Sequence, residues 1–248
     1  MFTMLRDMTA VNRRARIHRQ TTDEILDAAG RIVARGEELT LRAVARDVGV
    51  TAPALYRYVS SLDDLVDQLG ERLYSELTTA LIDARDAVAG QPPRDAAPAR
   101  LVAMAWAFRE WALAHRFEYG LLFANPLLAV TRQCTCTERG AEVFGSTFSD
   151  VFVQLWRERP FPIPADDDLA DDVRRQLEES EEGGPEPLPL GLRYVYLRQW
   201  ARLYGTVTLE AFGHLSWALD DTRPLFEAML RDNAAELGFL DVLRGAER

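Results

Sequence analysis

A proline near the start of a short helical segment strongly constrains how this chain can fold. The stretch GVTAPALYRYV, residues 49–59, contains Gly49, which suits the end of one helix, and Thr51, which suits the N-cap of the next. With Thr51 as N-cap, Pro53 falls in the first helical turn, where its missing N–H has no intrahelical partner to lose. We therefore predict a helix that begins after Thr51, whose hydroxyl accepts a backbone N–H, and runs to about Val59.

Neighbouring segments place this helix in a larger pattern. Residues 20–35 carry apolar side chains at spacings of three and four, which predicts an amphipathic first helix. A second short helix begins at the capping residue Thr40 and ends at Gly49, and Ser61 with Asp64 resembles the capping box of a further helix. Two short helices joined by a tight glycine turn, the second polar on its outer side, are typical of a helix-turn-helix.

The rest of the chain has helical periodicity as well, so we predict an all-α fold. Residues 90–98 break the pattern and are expected to form a loop. The acidic, proline-bounded segment 160–190 is predicted to be mobile, with a short helix near 167–180. Further helices are expected at 99–116, 119–130, 138–159, 191–219 and 222–237.

Charge is distributed unevenly along the sequence. The net charge is −10, which alone argues against binding nucleic acid, but residues 1–58 carry a net +3 and the remainder a net −13. Four arginines, at 13, 14, 16 and 19, lie in a segment expected to form a flexible basic arm over residues 1–19. The arm either reaches DNA backbone or minor groove, or contributes only to solubility.

Several functional classes lack support in the sequence. No apolar run is long enough to span a membrane, and no secretory leader is evident, so a cytoplasmic location is expected. The three histidines are scattered without a catalytic or metal-binding spacing, so we expect no cofactor, no metal and no enzyme activity. Cys134 and Cys136 leave a redox-responsive regulator open as an alternative, and an all-helical enzyme or carrier is a more distant one.

Two segments carry a family resemblance. LTLRAVARDVGVTAPALYRYVSSLDDL, residues 39–65, resembles the DNA-binding head of TetR/AcrR-type transcriptional regulators, although Leu62 stands where that family usually has a phosphate-binding lysine. QWARLYGTVTLEAFGHL, residues 199–215, resembles the C-terminal segment of one TetR subgroup, with Tyr204 in place of a usual histidine. The resemblance implies a helix-turn-helix domain over 20–66 and a ligand-binding and dimerisation domain over 67–248.

The resemblance also implies how the head contacts DNA. Arg42 would bind a base, since arginine matches the O6 and N7 atoms of guanine; pairing with a neighbouring acid is the alternative. Arg57 would touch either base or phosphate, and Tyr58 is as well explained by packing against the first helix. The full set of expected DNA-binding residues is Thr40, Arg42, Thr51, Ala52, Pro53, Tyr56, Arg57 and Tyr58.

In TetR-like proteins a cavity between central helices binds a small effector, and such sites have mostly apolar walls. An ion pair within the chain is a competing explanation for Arg109, with Asp83 or an acid near Glu110 as the partner. For the aromatic stripe that includes Phe148 and Phe152, core packing competes with ligand contact. The candidate effector-binding residues are Trp106, Arg109, Trp111, Phe123, Phe148, Phe152, Tyr196 and Trp200.

The resemblance further implies a homodimer formed by the last two long helices, with two heads on a palindromic operator. Apolar residues on more than one face of these helices are the expected interface: Leu203, Val207, Phe212, Leu215, Phe226, Met229 and Leu230. The function expected from all of this is a ligand-responsive transcriptional regulator, a repressor that a small, mostly apolar effector releases from double-stranded DNA.

Overall fold

A computed structural model describes residues 2–88, 90–124, 135–180 and 188–246; side chains are not described for 2–15, 93, 135–138 and 244–246. Throughout these residues the regular structure is helical, which confirms the predicted all-α class. The helices are α1 (Phe2–Ala34), α2 (Leu41–Val48), α3 (Ala52–Leu55), α4 (Leu62–Asp86), α5 (Pro93–Ala114), α6 (Arg116–Phe123), α7 (Thr135–Glu158), α8 (Asp171–Glu179), α9 (Leu190–Ala211), α10 (Arg223–Glu236) and α11 (Leu240–Ala246), with a 3-10 turn at Asp166–Asp168.

The chain divides into two compact units. The first comprises Met1–Leu77 and His115–Phe144, and the second Thr78–Ala114 and Gly145–Arg248. This division differs from the boundary expected at residue 66, because α6 packs with α1 in the first unit. The ring of Phe117 lies over Gly36, so that a Cβ built on Gly36 would be 2.6 Å from Cζ of Phe117.

The core of the first unit holds the short helices in place. Its most buried side chains come from α1, α2, the α3 region and α4, so each short helix is fastened to a longer one. They include Ile25, Ile32, Val44, Leu55, Val59, Leu65 and Leu69, each at most 1% exposed.

The N-terminal segment differs from its prediction. The backbone of α1 is helical from Phe2, so residues 2–19 continue the first helix where a separate flexible arm was expected. This stretch contains neither proline nor glycine, and ten of its 18 residues are arginine, alanine, methionine or leucine, which favour helix. The arginines at 13 and 14 are among the residues whose side chains are not described.

The second unit is built around α9, which packs against α5, α8 and α10. The helix predicted over 191–219 ends earlier, at Ala211. Gly213 has φ +70°, and the N–H of His214 donates to the carbonyl of Leu209 (2.8 Å), which closes the helix. Turns then lead to α10.

The acidic segment is only partly as predicted. Its short helix exists as α8, but Phe161, Leu169 and Leu177 are each at most 7% exposed, so these three side chains anchor the described residues 160–180 in the core of the second unit. Gly191 permits a close approach in this packing, because a Cβ at that position would lie 2.1 Å from the carbonyl oxygen of Pro164. Residues 181–187 of the segment predicted as mobile lie outside the described residues.

Candidate nucleic-acid interface and apolar cavity

The turn between α2 and α3 follows from local chemistry. The hydroxyl of Thr40 accepts a hydrogen bond from the N–H of Ala43 (3.1 Å), which caps α2 as predicted. Gly49 adopts φ +79° and its N–H donates to the carbonyl of Ala45, so α2 ends in the left-handed conformation that glycine tolerates best. Val50 then donates to the same carbonyl (2.9 Å) and directs the chain into α3.

The start of α3 agrees with the prediction in position but not in its hydrogen bond. Thr51 is the N-cap and Pro53 lies in the first turn, yet the Thr51 hydroxyl makes no capping bond. An N-cap side chain can reach the second or third helical N–H. Pro53 has no N–H, and the N–H of Ala54 donates to the Thr51 carbonyl (2.9 Å), so neither donor is left for the hydroxyl.

Helix α3 is short and is held from one side. Its α-helical part ends at Leu55, but hydrogen-bonded turns continue to Val59, whose N–H donates to the carbonyl of Leu55 (3.2 Å). Leu55 and Val59 are each 1% exposed. The exposed residues around them form what we call the α3 surface: Thr51, Ala52, Pro53, Tyr56 and Arg57.

The two tyrosines of this region differ. Tyr56 is 57% exposed and belongs to the α3 surface. Tyr58 is partly buried, and its ring stacks on His18 of α1 at a centroid distance of 4.8 Å. Tyr58 therefore packs against the first helix, as its alternative explanation proposed, while part of its side chain remains accessible.

The arginines near the α3 surface divide into paired and unpaired residues. Arg31 forms an ion pair with Asp47 (2.6 Å) and Arg35 one with Glu37 (2.7 Å). The hydrogen bond from Arg31 holds the pKa of the Asp47 carboxyl below its ordinary value. Arg42 and Arg57 are exposed and have no ion pair within the part of the chain that the structure describes, so their charges are available to an external anion.

The second unit contains an apolar cavity that is partly open to solvent. Side chains from α5, α7, α9 and α10 and the segment after α10 line it, and four of them are predicted effector-binding residues: Phe148, Phe152, Tyr196 and Trp200. These aromatic rings contact one another, with centroids 5.2 Å apart for Phe152 and Tyr196 and 5.7 Å for Phe148 and Trp200. Such a lining suits a small, mostly apolar ligand.

Comparison with known proteins identifies the family. The profile described as "Tetracyclin repressor-like, C-terminal domain" matches residues 101–233. Two HTH-type transcriptional regulators, one of Mycobacterium bovis and one of Mycobacterium tuberculosis, are each 30% identical to the chain over 202 residues, 78% of this chain and 81% of the relative. The chain belongs to the TetR family.

Solved structures agree with this assignment. The regulatory protein SCO4313 superposes with a TM-score of 0.63 at 25% identity, covering 89% of this chain and 98% of that one. A Rhodococcus sp. RHA1 protein with unknown function gives a TM-score of 0.54 at 21% identity over 85% and 94% of the two chains, which supports the fold alone.

Membership of the TetR family makes this chain a DNA-binding transcriptional regulator. Members of the family regulate transcription and are not enzymes, so the expectation of no enzyme activity is confirmed. Among the described residues no group of three potential ligands could hold a metal ion, and no helix combines the length and apolarity needed to span a membrane.

The other four predicted effector-binding residues lie away from the cavity. Trp111 is buried elsewhere in the second unit, and Phe123 belongs to the first unit, where its ring contacts Tyr119 (4.8 Å) and Phe144 (5.7 Å). Trp106 packs edge-on against Phe226 (4.8 Å), and neither residue lines the cavity.

Arg109, the fourth, forms a buried ion pair. Its guanidinium donates two hydrogen bonds to the carboxylate of Glu210, one of them from Nε to Oε2 at 2.8 Å. The hydroxyl of Thr222 also donates to Glu210, and the rings of Trp106 and Phe226 flank the guanidinium at 5.5 and 5.3 Å. An ion pair was an expected alternative for Arg109, but its partner is neither Asp83 nor an acid near Glu110.

The expected dimer-interface residues are mostly buried within the chain. Leu203, Val207, Phe226, Met229 and Leu230 are each at most 9% exposed, so they belong chiefly to the core of the second unit, and their exposure was predicted wrongly. Helix α9 is enclosed by α5, α8 and α10, a packing that its own periodicity does not reveal. Phe212 is 36% exposed and Leu215 is partly exposed.

Two of the expected interface residues, Leu215 and Met229, line an apolar groove in this region. This groove between α9 and α10, which we call the α9–α10 groove, is lined by Leu209, Leu215, Leu225, Ala228 and Met229 and bordered by charged residues that include Arg202 and Asp232. Leu209 and Leu225 are 43% and 41% exposed. In the turns beside it, Trp217 is 85% exposed.

Two features were missed or remain undescribed. Gln199, which lines the cavity between the aromatic residues 196 and 200, was not predicted as a site residue, although its position one residue before Trp200 on α9 was visible in the sequence. Cys134 lies outside the described residues, and the side chain of Cys136 is not described. The redox alternative therefore stays a prediction.

Proposed function

We propose that this TetR-family regulator is a homodimeric repressor that binds a palindromic operator and is released by a small, mostly apolar effector. The observation that carries the DNA-binding part is the α3 surface, which includes Arg57, together with Arg42; both arginines are exposed and have no ion pair among the described residues. Cytoplasmic action on the cell's own DNA is part of the same proposal.

The proposed DNA contacts follow from the exposed chemistry. Arg42 would read a guanine by its two parallel N–H groups, and Arg57 would bind phosphate or base. The small side chains of Ala52 and Pro53 allow close approach to base edges. The hydroxyl of Thr51 makes no capping hydrogen bond and is therefore available to bind phosphate. Thr40, Tyr56 and the accessible part of Tyr58 are proposed as further backbone contacts.

A binding assay with DNA from upstream of the protein's own gene tests these contacts. Replacing both Arg42 and Tyr56 by alanine is expected to abolish the preference for operator over scrambled DNA, since one lost base contact costs about 1–3 kcal/mol. Arg35→Ala is the matched control, because Arg35 is ion-paired with Glu37 in the same unit. Unchanged sequence preference in the double variant would contradict the proposed contacts.

Dimerisation through the α9–α10 groove is supported by its apolar lining and its border of both charge signs, which can be self-complementary about a two-fold axis. Leu225→Glu is expected to convert dimer to monomer in analytical ultracentrifugation, because it buries an unpaired carboxylate in the interface. Leu197→Glu is the control, since Leu197 is an equally exposed residue of α9 that does not line the groove. A dimer that survives Leu225→Glu would place the interface elsewhere.

The cavity of the second unit is the proposed effector site. We keep Phe148, Phe152, Tyr196 and Trp200 as proposed ligand contacts. Arg109 and Trp106 are no longer proposed, because Arg109 is ion-paired with Glu210 and Trp106 packs against its guanidinium. A ligand that binds one conformation of the regulator better than another shifts the population and so changes DNA affinity.

A further inference from the structure

The cavity contains an unpaired carboxamide. Gln199 is 7% exposed, and neither its Nε2 nor its Oε1 has a hydrogen-bond partner in the described part of the chain. Buried polar side chains are nearly always hydrogen-bonded, and leaving a buried donor or acceptor unpaired costs about 1–3 kcal/mol. A donor and an acceptor on one side chain are thus both unsatisfied at the wall of an apolar cavity.

Other polar side chains of the cavity are already engaged. The hydroxyl of Tyr196 donates to the carbonyl of Gly145 (3.3 Å). Asn233 accepts from Arg202 (3.4 Å) and donates to the sulfur of Met229 (3.2 Å). Among the cavity-lining side chains, Gln199 is therefore the one that offers both a free donor and a free acceptor within the described residues.

The electrostatics of the cavity disfavour charged ligands. Its lining contains no charged side chain among the described residues. Burial, with a smaller contribution from the charge of Asp150, raises the pKa of Tyr196 to about 12. Transfer of a carboxylate or an ammonium group into such surroundings is costly without a counter-ion.

We propose that this cavity binds an uncharged molecule that has an apolar body and, at one end, a hydrogen-bond donor adjacent to an acceptor, as in a primary carboxamide or a lactam. The donor of the ligand would bind Oε1 of Gln199 and its acceptor would receive the Nε2 hydrogen, giving two parallel hydrogen bonds. The aromatic rings around Gln199 would contact the apolar body. This inference rests on the effector site of the proposed function and specifies its ligand class.

A matched ligand series on the full chain tests the inference by calorimetry. The probes are 4-phenylbutanamide, methyl 4-phenylbutanoate, 4-phenylbutanoate and 4-phenylbutylamine, which share one apolar body. The amide is expected to bind about tenfold more tightly than the ester, because it completes a second hydrogen bond, and the two charged probes more weakly than both. Equal affinities across the series, or no binding by the amide, would overturn the proposal.

Substitution of Gln199 supplies the decisive control. Gln199→Leu keeps the volume and removes the carboxamide, so the preference for amide over ester is expected to disappear. Gln176→Leu, at an exposed glutamine of α8, should preserve it. A preference that persists in Gln199→Leu would overturn the assignment of this residue.

Stability of the ligand-free protein gives an independent result. Because its carboxamide is unpaired, Gln199→Leu is expected to raise the melting temperature by about 2–4 °C. A lower melting temperature would mean that Gln199 has a structural partner, which would also overturn the proposal.

The proposal and the proposed function can fail separately. Amide binding that depends on Gln199 but leaves DNA affinity unchanged would support this inference and contradict the effector role of the cavity. Operator release by a charged molecule bound in this cavity, with no dependence on Gln199, would overturn this inference and leave the regulator function intact.

Discussion

Arg42 and Arg57, beside α3, are exposed and have no acid partner in the described chain, whereas Arg109, Arg159 and Arg202 of the second unit are each ion-paired. Arg159 joins three segments, since it contacts Asp95, Asp241 and the carbonyl of Gly238 (2.8 Å). The same residue type therefore stabilises structure in the second unit and, at Arg42 and Arg57, is left available at the surface of the first.

The difference explains how an acidic protein can bind an anionic polymer. Arginines of the second unit are largely neutralised by neighbouring carboxylates, and acids still outnumber them there. In the first unit the acids Asp47 and Glu37 pair with arginines other than Arg42 and Arg57. Local pairing, more than net charge, decides which cations can bind phosphate or base.

The strongest test of this comparison is the buried arginine. Arg109→Met leaves the carboxylate of Glu210, whose side chain is 3% exposed, without its cation. The free energy of unfolding is expected to fall by about 3–5 kcal/mol in urea denaturation. Arg42→Met should change it by less than about 0.5 kcal/mol, as expected for an exposed site, and similar losses in both variants would remove the distinction.

A charge-conserving substitution separates base reading from electrostatic attraction. Arg42→Lys keeps the charge but loses the planar pair of N–H groups that matches guanine. In fluorescence anisotropy, the free energy of operator binding is expected to weaken by about 1–3 kcal/mol, while the affinity for scrambled DNA stays nearly unchanged. Equal losses on both DNAs would show that Arg42 binds backbone and does not read sequence.

A third test concerns the salt dependence of binding. If Arg57 binds phosphate, the plot of log affinity against log salt concentration is expected to become less steep by about 1 in Arg57→Met, because one fewer counterion is released. Arg175→Met is the control, since Arg175 is exposed but paired with Asp172 in the second unit (2.9 Å). An unchanged slope for Arg57→Met would assign Arg57 to a base or to no contact.

The smallest expected effect concerns an acid of the first unit that caps a helix. Partial burial acts to raise the pKa of Asp64, but hydrogen bonds from Ser60 and Gln68 outweigh it and hold that pKa below its ordinary value. Its stabilisation is therefore complete above the ordinary carboxyl pKa and is lost as pH falls through the lowered one. Asp64→Ala should cost about 1 kcal/mol at pH 7 by urea denaturation and progressively less in acid; a cost independent of pH would contradict this role.

Local features of the first unit were predictable from the sequence. The caps at Thr40 and Ser61, the glycine at the end of α2 and the inward side of Leu55 depend on residues within one turn of one another. Such short-range patterns fix the positions of α2 and α3. The absence of a capping hydrogen bond from Thr51 was also predictable from neighbouring residues, since it follows from the proline two residues later.

Features of the second unit that join distant residues were not predictable in this way. Glu210 lies 101 positions from Arg109, and many other acids were equally plausible partners. The sequence places Leu203 and Val207 on a helix but does not say which neighbours enclose it. Nor does it indicate that Gln199 lacks a partner, because that depends on every side chain around the cavity.

The way in which α3 is anchored has a consequence for how this regulator can change over generations. Leu55 and Val59 carry the buried contacts of the segment, and the exposed residues 51–53 and 56–57 make few contacts that folding requires. If these positions contact DNA as proposed, mutations at them can alter DNA preference at little cost to stability. Duplicated copies of such a gene could then acquire new target sites while keeping the same scaffold and the same cavity.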